Sequence, residues 1–124
     1  FVQLGLVPEA ASSLLLPRLV GHQRAAEMML LGEPLDAATA REVGIANRVV
    51  APTALMETAR GLAVKLAAQA PTALRLTKAL LKGGPGEVAA RMDEEGRLFT
   101  AQLQSDELKE AVAAFFEKRA PNFG

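Results

Sequence analysis

The chain has no cysteine, no tryptophan, no tyrosine and a single histidine. Without Cys there is no disulfide framework and no thiolate chemistry, which fits a reducing compartment, and a cytoplasmic location is the expectation. One His and no Cys leave no ligand set at metal spacing, so no metal is expected. A Ser-His-acid triad has as little support, because His22 starts a helix beside Gly21 with nothing near it to orient an imidazole. Neither sign of charge is in excess, with 14 Lys plus Arg against 14 Asp plus Glu. No global field therefore draws the chain to nucleic acid or to an anionic membrane, and neither is an expected partner. No apolar run approaches the roughly 20 residues of a membrane span, and the first residues lack the basic start and cleavage site of a signal peptide. Phosphate loops of the GxxxxGKS or GxGxxG type are absent, and GGPGE at 83–87 is too short and lacks the Lys.

What is present is alanine and leucine at helical spacing. The 124 residues are half hydrophobic, a length suited to one ordinary domain, and 24 of them are Ala, a mixture that favours helix over sheet. The pattern predicts a helix from about Glu9 or Ala10 that Pro17 ends or kinks and Gly21 closes. A second runs over about 22–31, stopped by Gly32 and Pro34, and a third is capped by Asp36 and stopped at Gly44. IANRVVA, residues 45–51, is the best strand candidate, and VQLGLV at the start also looks extended. After Pro52 come three longer helices, the second opening at Pro71. GGPG at 83–86 is a loop, and Ser105 or Asp106 caps a last helix that Pro121 terminates. A chain opening at Phe1 on an extended apolar stretch suggests a fragment whose upstream part is missing.

Glu9 is the most informative carboxylate. In LGLVPEAASSLLLPRLVG it stands between two apolar runs, and two readings are open. It occupies the first turn of a helix, where the macrodipole favours negative charge by a few tenths to about 1 kcal/mol. Alternatively it is a general base in an apolar pocket, where desolvation raises a Glu pKa towards working pH. The cations Lys65, Arg75, Lys78 and Lys82 partly share a helix side, a pattern that more often marks a solvated face than a phosphate site.

The run from Leu4 to Val50, then APTALRLTKALL, then AFFEKRAPNF, resembles the second half of the enoyl-CoA hydratase/isomerase, or crotonase, superfamily over essentially all 124 residues. The marks are a Gly-x-x-Pro turn with small residues after it, a GEPLDA-like segment, the EVGIANRVV unit, a later TK and a final FxEKRxPxF. The resemblance implies a mainly α chain: the end of a crotonase-type β-β-α spiral in 1–51, with one short strand near 45–51, followed by a helical trimerisation and CoA-site region in 52–124. It further implies an acyl-CoA thioester as substrate, coenzyme A being carried by that substrate with no other cofactor, and a homo-oligomer, either a trimer or a dimer of trimers.

In peroxisomal-type isomerases of this superfamily a Glu replaces the first Gly of the PGAGG motif and serves as the base, and VPEAAS puts Glu9 at that position. Ala11 departs from the Gly often found two residues later. The implied activity is isomerisation of a 3-enoyl to a 2-enoyl thioester, with Glu9 taking the C2 proton. Phe99 in GRLFTAQL matches an aromatic packing near the adenine, and Lys118 in FFEKR matches a Lys that meets a CoA phosphate, commonly across a subunit boundary. Two alternatives stand beside this. One is a hydratase whose catalytic Glu residues lie upstream, and the other is a helical oligomerisation module only.

Overall fold

A computed structural model describes all 124 residues, and its elements are helices: α1 (Ser12–Val20), α2 (His22–Leu31), α3 (Ala37–Glu42), α4 (Leu55–Ala67), α5 (Pro71–Lys82), α6 (Gly86–Gln102) and α7 (Asp106–Glu117). Short 3-10 turns at Val2–Leu4 and Pro52–Ala54 precede α1 and α4. The mainly α class is as expected, and most helix ends stand where local chemistry puts them. Asp36 accepts from Thr39 N–H at 2.7 Å and Ser105 accepts from Leu108 N–H at 3.1 Å, each satisfying an amide that has no intrahelical partner. Gly32 closes α2 in the left-handed conformation, and Pro71 opens α5.

Four expectations are corrected. Residues 45–51 form no strand; Ile45 and Ala46 instead donate to Ala40 O, folding back on α3, and no extended segment of the chain lies alongside to complete a ladder. VQLGLV is likewise not extended, because Gly5 turns left-handed (φ 66°) after the 3-10 turn. Pro17 does not end α1, which runs through it to Val20, where Gly21 N–H closes on Pro17 O at 3.0 Å. The last helix stops at Glu117, four residues before Pro121, because Lys118 turns left-handed (φ 54°) and Arg119 N–H returns to Ala114 O.

The N-terminal five residues tie the helices together. Gln3 Nε2 donates to the carbonyls of Leu31 and Gly32, capping the C-terminal end of α2, at 3.2 Å each. Gly5 lies against the first turn of α7, where an added Cβ would stand 2.7 Å from Glu107 Cβ. Phe1 meets Phe99 of α6 edge to face, with centroids 6.3 Å apart. Around this tie α1 packs on α2 and on α6, and the fully covered side chains are small: Ala11, Ala25, Ala111 and Ala114. Outside it every residue of α5 is exposed, Leu80 and Leu81 at 83% each. Such helices owe their stability mostly to what their apolar faces pack against.

Candidate functional site

The site is built at the start of α1. Glu9 does not occupy that helix's first turn. Ala10 and Ala11 follow it, both left-handed (φ 60° and 56°), so the helix begins only at Ser12 with no acidic residue of its own in the first turn. The carbonyl of Glu9 is pinned by Ser12, from N–H at 3.1 Å and from the hydroxyl at 2.7 Å. Its carboxylate is exposed and belongs to no ion pair. An apolar pocket around the carboxylate, as a desolvated base requires, is therefore not formed by residues of this chain.

The role of helix-start carboxylate is filled by a residue that sequence reasoning missed. Glu95, from the middle of α6 and 4% exposed, accepts Ala11 N–H on Oε2 at 2.6 Å and both Ser13 N–H (2.9 Å) and Ser13 Oγ–H (2.5 Å) on Oε1. A buried carboxylate is costly unless its lone pairs are satisfied. Here three donors and the positive end of the α1 dipole do so. The geometry also explains why two alanines remain left-handed, a conformation costing about 1–2 kcal/mol each without such support. A legible sign existed: in MDEEGRLF, Glu95 lies on the same helix side as Met92 and Phe99, where a carboxylate interrupts an apolar row.

One stripe of α6, every fourth residue, carries the whole arrangement. Glu87 pairs with Arg18, Arg91 donates to Ser13 Oγ at 3.4 Å, Glu95 holds Ala11 and Ser13, and Phe99 meets Phe1. The partner numbers fall along α1 as they rise along α6, so the two helices are antiparallel. Hydrogen bonding and charge from Arg18 hold the Glu87 carboxyl below the usual range, and Arg18 is raised in return. Both are surface groups, so this pair is a modest clamp. Phe99 itself is half-buried, one turn beyond Glu95.

Lys118 stands elsewhere, at the end of α7. The residues around it form a compact lock: the Arg119 guanidinium bonds both oxygens of Glu110 (2.5 and 3.0 Å) and Glu117 Oε2 (2.6 Å), while Asn122 N–H donates to Glu110 Oε1 at 2.8 Å. The Arg119 hydrogen bonds, followed by that from Asn122, lower the Glu110 carboxyl to about 2. Lys118 is exposed and left out of these pairings, its side chain in no ion pair. Thus α6 carries Phe99 and bonds Ala11 and Ser13, just after Glu9, and Lys118 stands apart at the end of α7. A hollow of about 850 Å³ bordered by Val20, His22, Arg24 and Val43 includes none of the three.

The enoyl-CoA hydratase/isomerase family profile matches residues 1–124. The crystal structure of an enoyl-CoA hydratase/isomerase from Pseudoalteromonas atlantica superposes with a TM-score of 0.96 at 47% identity, covering 100% of this chain and 50% of the other. The mouse protein named enoyl-CoA hydratase domain-containing protein 2, mitochondrial, is 37% identical over 96% of this chain and 42% of its own length. The enoyl-CoA isomerase/hydratase fer4 of Mycosarcoma maydis is 34% identical over 98% and 45%. The chain spans about half the length of the curated relatives it matches.

Proposed function

Because the chain belongs to the enoyl-CoA hydratase/isomerase family, we propose that it supplies the general base of an enoyl-CoA isomerase, with Glu9 moving a proton from C2 to C4 of a 3-enoyl thioester. The observation that carries this reading is that Glu9 has no structural employment. The helix end it could have served is served by Glu95, while the backbone beneath Glu9 is pinned by Ser12. A carboxylate on a rigid turn, unpaired, suits one-face proton transfer: it takes the C2 proton, the electron pair passes through the dienolate, and the same proton is returned at C4. The dienolate oxygen needs backbone N–H donors, worth about 2.7–4 kcal/mol each in comparable sites.

In this proposal coenzyme A arrives as part of the substrate. Lys118 meets a CoA phosphate, for which an exposed and unpaired ammonium is suited, and Phe99 packs near the adenine. The exposed apolar faces of α4, α5 and α7 are covered in a homo-oligomer or by further parts of a longer chain. A second reading, hydration with catalytic carboxylates outside these residues, is favoured by relatives named as hydratases.

Glu9→Gln in the full-length protein separates the two. Isomerisation of a 3-enoyl-CoA should fall about 100-fold or more, the amide keeping volume but losing the basic carboxylate, with substrate affinity nearly unchanged. Unchanged isomerisation, or hydration at a full rate in the same variant, would sink the assignment.

A further inference from the structure

We propose that Glu95 is the positioning residue for proton transfer by Glu9: it holds Ala10 and Ala11 left-handed and so sets where the Glu9 carboxylate is presented. The inference rests on the reading of Glu9 as the base. Two consecutive left-handed alanines do not persist through local preference. Within the loop the Ser12 bonds to Glu9 O close the turn, and the bond to the Ala11 amide comes from α6, 84 residues along the chain. The two carboxylate oxygens divide the task. Oε1 serves Ser13 twice and fixes the start of α1, whereas Oε2 serves only Ala11 N–H, the amide directly after Ala10. On its other side Glu9 follows Pro8, whose φ is fixed, and its own carbonyl is held by Ser12. Glu9 is thus clamped from both directions, and the one clamp that is not local is Glu95. Placement matters here, since a shift of about 1 Å in a reacting group can cost on the order of 100-fold in rate.

Glu95→Gln tests this by its chemistry. The amide has one oxygen where the carboxylate has two; with that oxygen on Ser13, its NH2 faces Ala11 N–H, donor against donor. In the full-length enzyme with a 3-enoyl-CoA substrate, kcat should fall about 10- to 100-fold while KM changes less than about twofold, and amide hydrogen exchange at Ala11 should accelerate. Adding Ala10→Gly places at an exposed position a residue for which left-handed backbone carries no steric penalty, and part of the lost kcat should return. A native kcat in Glu95→Gln with the Ala11 amide deprotected overturns the proposal. So does a loss of kcat that matches a loss of folded protein and is not recovered by Ala10→Gly. Glu9→Gln measured alongside tells the two claims apart: a slow Glu9→Gln with a native Glu95→Gln removes only the positioning role, and a native Glu9→Gln removes the base.

Discussion

At the scale of the residue, Glu95 is buried and accepts three hydrogen bonds, whereas the Glu9 carboxylate is exposed and in no ion pair. Their substitutions should therefore affect stability in opposite measure. Glu95→Ala strands two backbone amides and a hydroxyl at the start of α1, and urea unfolding of the full-length protein should show a loss on the order of 3 kcal/mol. Glu9→Gln touches no such contact and should change stability by less than about 0.5 kcal/mol. A Glu9→Gln variant that loses as much stability as Glu95→Ala would return Glu9 to a structural role. Lys118→Ala should raise KM for the CoA substrate and leave kcat alone, because a phosphate contact remote from the reacting carbons binds substrate and transition state equally; a fall in kcat at unchanged KM would contradict the assignment.

Among the elements, α7 depends on contacts at both ends. At its start, Gly5 is left-handed and in contact with Glu107, so Gly5→Ala combines a strained φ with a Cβ 2.7 Å from Glu107 Cβ. The cost should exceed the 1–2 kcal/mol or so of the backbone term alone, and thermal unfolding would reveal it. At its end, Glu110 is lowered from 4.5 to about 2 by Arg119 and Asn122. A carboxyl depressed in the folded state contributes stability that is fully present above its unfolded value and is lost as pH falls through the folded one. The C-terminal lock should hold at neutral pH and weaken between about pH 4.5 and 2. The Asn122 amide resonance should follow that titration, and Glu110→Gln should abolish it. A midpoint near 4.5 would mean that the lock does not form in solution.

For the whole molecule, the balance of covered and uncovered surface governs behaviour. Four alanines and Glu95 are the buried residues, while Leu80, Leu81, Phe115 and Phe116 are each at least 75% exposed. A chain of this composition with so little core exposes apolar patches larger than monomers tolerate, so the isolated 124 residues should self-associate. A clean monomer at high concentration by light scattering would count against this. The isolated chain should also show no measurable isomerisation of 3-enoyl-CoA. Its candidate base is exposed, and a base without a desolvated, donor-lined site leaves the dienolate unstabilised. Robust turnover by these residues alone would overturn the account of the site.

The sequence by itself determined the helices and most of their ends. Asp36, Ser105, Gly21, Gly32 and Pro71 act within about four residues of where they stand, so their effects are legible without knowing what packs where. It also carried the family resemblance, which marked Glu9, Phe99 and Lys118. Tertiary structure decided the rest. Residues 45–51 have strand-forming composition but no neighbour to pair with, and a ladder needs two partners. The expected start of α1 at about Glu9 or Ala10 gives way to Ser12, where Glu95, 84 residues away, bonds Ala11 just before the helix. No local rule predicts which distant carboxylate reaches a helix start, because that depends on the antiparallel packing of α1 on α6. The same packing freed Glu9 from the helix end, and a residue's freedom from structural work is a property of its neighbours in space, not in sequence.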